Sequence, residues 1–134
     1  MFKFILSFLL FVSTATLAIA ESKPKHYQTE RPQTEALAIE SFKADMAKVQ
    51  ALLSEPSVGV GQLEMIHQVS YSLEASVQKL AEKNNTDDLK HLATVVEELH
   101  LSSEKHSLDE TKKWFQETET AFLKINAAYS KSAK

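Results

Sequence analysis

Hydrophobic residues recur every three or four positions through four stretches of this sequence, and no stretch alternates with the period of two that a β-strand requires. The first stretch runs from Thr34 to about Glu55 and stops before Pro56. Thr34 can cap a helix here, and Pro56 ends it because proline cannot continue the backbone hydrogen-bond pattern. The apolar positions that predict its buried stripe are Ala38, Phe42, Met46, Val49 and Leu53.

The second and third stretches predict a helical hairpin between Leu63 and Glu104. Its turn is Asn84-Asn85-Thr86-Asp87-Asp88, in which asparagine suits the helix exit and Thr86 can cap the next helix. The two aspartates favour the positive end of that helix. The predicted buried positions are Leu63, Ile66, Ser70, Leu73, Val77 and Leu80 on the first arm, and Leu89, Leu92, Val96 and Leu99 on the second.

The fourth stretch opens with the capping-box pattern Ser107-Leu108-Asp109-Glu110. Its buried stripe is predicted at Thr111, Phe115, Thr118, Phe122, Ile125 and Tyr129. Four amphipathic helices joined by short turns are typical of an all-α fold in which neighbouring helices run in opposite directions. We therefore predict an antiparallel up-down-up-down four-helix bundle over residues 34–134.

The first 33 residues contain two further segments. Residues 1–20 have the three parts of a cleavable signal peptide, with Lys3 before the apolar run Phe4–Val12 and the small-residue cleavage site Ala18-Ile19-Ala20. The apolar run is too short to serve as a stable membrane anchor. We expect a periplasmic protein, or a secreted one where there is no outer membrane. Residues 21–33, with two prolines among polar residues, predict an extended polar arm.

Charge and cysteine content exclude several classes of function. Cleavage of the signal peptide removes Lys3 and leaves fourteen basic against eighteen acidic residues, which argues against nucleic acid as a partner. The chain has no cysteine, so disulfides, covalently attached haem, iron–sulfur clusters and thiol catalysis are all excluded.

A row of polar side chains lies beside the apolar stripe on each arm of the hairpin. The rows are Glu64, His67, Tyr71 and Glu74 on the first arm, and Glu97, His100 and Glu104 on the second. Counted from Asn85, His67 lies eighteen residues before the turn and His100 fifteen after it. In an antiparallel hairpin their levels would then differ by three residues, or about 4.5 Å. The two histidines are expected to meet.

These rows allow three interpretations. The simplest is a hydrogen-bonded polar network that includes Tyr71, Glu74 and Glu104 and fixes the helix register. The second is a metal site, because each histidine has a glutamate three positions earlier, and paired Glu-x-x-His motifs hold dimetal centres in helical bundles. Its candidate ligands are Glu64, His67, Glu97 and His100, and a single zinc or copper ion needs fewer of them. The third is non-covalent haem held by a histidine and Met46.

Several short blocks of the chain resemble a family of short exported bacterial helical proteins with no assigned function. The blocks are His26-Tyr27, Thr34-Glu35-Ala36, Ile66-His67, Ser70-Tyr71-x-Leu73-Glu74-Ala75, Glu97-Glu98-Leu99-His100 and Ser103-Glu104. Ser70 stands where the family pattern has threonine. The resemblance implies a periplasmic all-helical protein and brings no activity, substrate or catalytic residue with it.

The expected function is therefore non-catalytic binding or a structural role, with an unknown protein or small ligand as the partner. No serine lies in a nucleophile elbow, and no Ser/His/Asp arrangement is suggested by the helical pattern. We expect no enzyme activity, no stable membrane anchor and, in the simplest case, no cofactor. A metal- or haem-binding bundle that uses His67 and His100 is the alternative. The oligomeric state is not defined by the sequence.

Overall fold

The computed structural model describes residues 29–132. This part of the chain forms four helices and no strand: α1 (Glu35–Leu53), α2 (Val60–Ala81), α3 (Asp87–Glu104) and α4 (Leu108–Ser132). The prediction of an all-α four-helix bundle is confirmed. The predicted signal peptide, residues 21–28 of the predicted arm, and residues 133–134 lie outside the described residues. None of the four helices combines the length and apolar content of a membrane span.

Local hydrogen bonds explain where the helices begin and end. The Thr34 hydroxyl accepts a hydrogen bond from the backbone N–H three residues later at 3.1 Å, and Thr86 does the same at 3.3 Å. Both threonines therefore cap helices, as the sequence predicts. Helix α1 ends at Leu53 and Ser54 is its C-cap, whose N–H and hydroxyl both donate to the Gln50 carbonyl, at 3.0 and 2.7 Å.

Each helix packs chiefly against the helix that follows it, and α1 meets α4 along a narrower seam. The seam is joined by Phe42 and Phe122, whose rings stack with centroids 4.2 Å apart and planes 17° apart. The largest fully buried apolar side chains of the core are Phe42, Ile66, Leu73, Leu80, Leu92 and Leu99. All of them occupy predicted stripe positions. The stripe prediction was wrong at the end of α1, where Leu52 is buried and Leu53 is only partly buried, and the predicted Tyr129 is also only partly buried.

Hydroxyl groups at predicted core positions are paired with backbone carbonyls. Ser70 donates to the Ile66 carbonyl at 2.9 Å. Thr118 donates to the Trp114 carbonyl at 2.7 Å and lies 3.3 Å from the Val95 carbonyl of α3. These bonds remove most of the penalty for burying a hydroxyl.

Candidate functional site

Three aromatic rings pack together between α2 and α3. The His67 and His100 ring centroids are 4.8 Å apart, and the Tyr71 centroid lies 4.6 Å from His100 and 5.4 Å from His67. Only 13% of the His67 side chain and 12% of the His100 side chain are exposed. The two histidines therefore meet, as the hairpin register predicts, and they do so largely away from water.

His100 is bound to α2 by a charged hydrogen bond. Its Nδ1 donates to Oε1 of Glu74, whose side chain is partly buried. This bond is the largest cause of a raised pKa for His100, and burial of the ring opposes it. The negative charges of Glu74, Glu97 and Glu104 raise the pKa further. Glu104 itself lies exposed at the end of α3.

Three donor groups converge at this point. Glu74, Glu97 and His100 each place one oxygen or nitrogen atom within 4.8 Å of the other two. We call these three residues the α2–α3 cluster. Glu97 is exposed, whereas Glu74 and His100 are partly buried. The cluster is therefore open to solvent on the Glu97 side and closed by the helices on the other.

His67 lies beside the cluster without a hydrogen bond. Both ring nitrogens are buried, and neither has a hydrogen-bond partner among the described residues. Its Nδ1 is 3.5 Å from Glu64 Oε1, which is close enough for an ion pair but does not meet the geometry of a hydrogen bond. A buried polar group without a partner costs about 1–3 kcal/mol. The ring packing with Tyr71 and His100 thus holds a buried imidazole whose nitrogens have no hydrogen bond among the described residues.

The structure brings together only some of the residues that the sequence proposed as metal ligands. Glu97 and His100 lie together in the α2–α3 cluster, where the third member is Glu74, a residue that the sequence assigned to the polar network. Glu64 instead lies between His67 and His106, with its Oε2 3.7 Å from His106 Nε2.

His106 was not among the predicted site residues. It belongs to the turn between α3 and α4 and has a positive φ of 55°. The predicted topology of the hairpin could have revealed the position of His106. In the predicted antiparallel hairpin, the turn after α3 and the first residues of α2 would lie at the same end, so His106 could have been expected near Glu64.

The pKa of His100 has a consequence for stability. Because folding raises this pKa above that of an unfolded histidine, about 6.5, the folded state holds the proton more tightly. The stabilisation is fully present below pH 6.5 and is lost as pH rises through the higher folded pKa. We expect the free energy of unfolding, measured by urea denaturation with a chelator present, to decline as pH rises from 6.5 through the folded pKa of His100.

The matched variant for this pH dependence is Glu74→Gln, which removes the main cause of the raised pKa and keeps the side-chain size. Its unfolding free energy should decline less steeply above pH 6.5 than that of the unmodified protein. A stability that stays flat or rises over this window in the unmodified protein would contradict the pairing of His100 with Glu74.

Comparison with known proteins assigns the chain to a protein family. Its residues 1–128 match the model of a family of unknown function, DUF6746. The chain belongs to this family. The match includes every residue of the α2–α3 cluster, as well as His67, Tyr71 and Glu64. Neither the curated proteins nor the solved structures gave a match.

Family membership confirms the resemblance noted in the sequence, namely to a family without an assigned function. It also confirms that no specific role comes with that membership. The DUF6746 family supplies neither a ligand nor a reaction, so the function has to be inferred from the chemistry of the side chains between α2 and α3.

Proposed function

We propose that the protein is an exported, non-catalytic binding protein whose α2–α3 cluster binds one divalent transition-metal ion. The observation that carries this proposal is the convergence of the Glu74, Glu97 and His100 donor atoms within 4.8 Å of one another. One imidazole and two carboxylates form a donor set that suits zinc or copper. Calcium and magnesium prefer oxygen ligands alone, so the histidine favours a transition metal.

The surroundings of the cluster support a bound ion in two ways. The exposed Glu97 gives an ion a route from solvent, and the unbonded His67 ring lies next to His100. Zinc sites commonly have four ligands, and the His67 ring, whose centroid lies 4.8 Å from that of His100, could supply a fourth donor. Binding an ion would give a partner to a buried nitrogen that has no hydrogen bond among the described residues.

A purely structural network is the competing interpretation. The bond between His100 and Glu74 supports it, because this pair is satisfied without any ion. The same interpretation gives the exposed Glu97 only a charge effect on the pKa of His100, and it leaves both His67 nitrogens without a hydrogen-bond partner among the described residues. The two interpretations therefore differ most clearly in what they require of Glu97.

The haem alternative has less support. Met46 lies in the core of α1 and lines a groove between α1 and α4, together with Phe122 and Leu123. The histidine rings pack with Tyr71 between α2 and α3. The methionine and the histidines that would share a haem iron are thus placed in different parts of the bundle.

The antiparallel topology of the bundle and the export of the protein form part of the same proposal. The connecting segments 54–59, 82–86 and 105–107 are short, and consecutive helices pack on each other, which supports the antiparallel up-down-up-down arrangement. Export is supported by the signal-peptide pattern of residues 1–20. The non-catalytic role is supported by the sequence, in which no motif of a catalytic nucleophile was found.

Calorimetric titration of the metal-free protein with zinc tests the proposal. We expect one zinc ion per chain, and we expect Glu97→Gln to weaken binding by at least about tenfold, because it removes a ligand charge. Glu97 is exposed, so the variant should change the unfolding free energy by less than about 0.5 kcal/mol.

The control for this titration is Glu117→Gln, which removes an exposed carboxylate of α4 that does not belong to the cluster. It should bind zinc as the unmodified protein does, within about twofold. No measurable zinc binding, or equal affinities in the two variants, would overturn the metal proposal and leave the structural network.

A further inference from the structure

A groove follows the narrow seam between α1 and α4. Its volume is about 400 Å³, and its walls include Lys43, Met46 and Ala47 of α1 and Glu119, Phe122 and Leu123 of α4. The two helices pack less extensively here than consecutive helices do. Met46 and Phe122 are buried members of the hydrophobic core. The groove therefore brings the edge of the core to the surface of the bundle.

Leu123 projects from one wall of this groove. It is 66% exposed, more than Leu37, Val60 or Met65, which are the other large hydrophobic side chains that residues 29–132 leave exposed. Ala47 on the opposite wall is exposed and small. Helices pack well where a large apolar side chain of one surface enters a space left by small residues of the other. This face of the bundle thus contains both an apolar projection and a recess for one.

The two walls of the groove also carry opposite charges, Lys43 on α1 and Glu119 on α4, and both side chains are exposed. Lys43 Nζ lies 3.2 Å from Glu40 Oε1 in its own helix, and these side chains are 45% and 72% exposed. Such a surface pair contributes little free energy. The Lys43 ammonium group is therefore accessible to a further carboxylate, as the Glu119 carboxylate is to a further cation.

We propose that this face binds a second copy of the chain, related to the first by a two-fold axis parallel to the helices. Such an axis places α1 of one copy opposite α4 of the other and keeps every residue at its level along the bundle. Lys43 of each copy then faces Glu119 of the other, and Leu123 of each copy enters the groove of the other. A two-fold axis perpendicular to the helices would instead place α1 against α1 and bring like charges together.

A second copy is the occupant because the face contains both members of each complementary pair. The apolar projection and its recess lie on opposite walls, and so do the base and the acid, so the surface is complementary to itself. A ligand that only filled the groove would leave Leu123 in water. None of the residues of this groove belongs to the α2–α3 cluster, so dimer formation and zinc binding can succeed or fail separately.

Sedimentation velocity of the purified protein between about 1 μM and 500 μM tests the proposal, with a chelator present to exclude bridging by metal ions. We expect a monomer–dimer equilibrium. Leu123→Glu should weaken dimer formation at least about a hundredfold, because each dimer contains the substituted position twice. The control Val60→Glu changes a side chain that is 61% exposed and lies outside the groove, and it should alter the affinity less than about twofold.

A pair of charge reversals tests the arrangement of the two copies. Lys43→Glu and Glu119→Lys should each weaken the dimer at least about tenfold, because each places like charges across the interface. Mixing the two variants should restore dimers, since each charged position then faces its opposite. Circular dichroism and an unaltered zinc titration verify that each variant is folded.

Three results would overturn the proposal. The first is a protein that stays monomeric up to about 500 μM, which would leave the groove to a different partner. The second is a dimer that Leu123→Glu leaves as stable as Val60→Glu does, which would place the interface elsewhere. The third is a mixture of the two charge variants that dimerises no better than either variant alone.

Discussion

Replacing Phe42 with alanine is expected to lower the free energy of unfolding by about 3–5 kcal/mol. Phe42 is fully buried, and its ring stacks on Phe122 across the narrow seam between α1 and α4. Alanine would lose both the transferred apolar area and the aromatic contact, and it would leave a cavity that the helices can only partly close. Small domains have a total stability of about 5–15 kcal/mol, so the loss is large.

Urea denaturation followed by the helical circular dichroism signal measures this effect. The control is Leu37→Ala in the same helix, whose side chain is largely exposed and which should cost less than about 1 kcal/mol. If the two variants lost the same small amount of stability, α1 and α4 could not be joined through Phe42 as the structure has them.

The second large effect is expected when both histidines are removed. Zinc at a hundred times its dissociation constant should raise the unfolding free energy of the unmodified protein by about 2.7 kcal/mol, because the ion binds only the folded state. The double variant His67→Ala, His100→Ala should gain almost nothing from zinc. In the absence of metal it should also lose about 1.5–3 kcal/mol through the missing charged bond to Glu74.

The matched control for the double variant is His91→Ala, which removes an exposed histidine of α3. This variant should keep both its stability without metal and its gain in zinc. A zinc gain of the same size in all three proteins would place the ion elsewhere. A loss of stability in the double variant without any zinc gain in the unmodified protein would make the histidines structural.

The features that the sequence predicted well depend on interactions between residues close together in the chain. The helix caps at Thr34 and Thr86 depend on a backbone N–H three residues away. The largest buried side chains follow from the helical period, whereas the predicted Leu53 and Tyr129 are only partly buried. The meeting of His67 and His100 required one further step, the register of a hairpin with a short turn, and the ring distance of 4.8 Å agrees with it.

The features that the sequence did not predict depend on how each helix is rotated about its axis. Glu64 and Glu74 both lie in the polar row of α2, and only the packing of α3 decides that Glu74 binds His100. The narrow seam between α1 and α4 and the burial of Asp45 between α1 and α2 also arise from packing between helices.

The most direct test of metal binding by the α2–α3 cluster is an NMR titration of protein in which the histidine rings are labelled with ¹⁵N. We expect one equivalent of zinc to shift the ring nitrogens of His100, which belongs to the cluster, and those of His67, whose ring packs against His100. The exposed His91 should remain unchanged. Ring signals of His100 that remain unchanged at one equivalent, or a shift at His91 equal to that at His100, would contradict a specific metal site between α2 and α3.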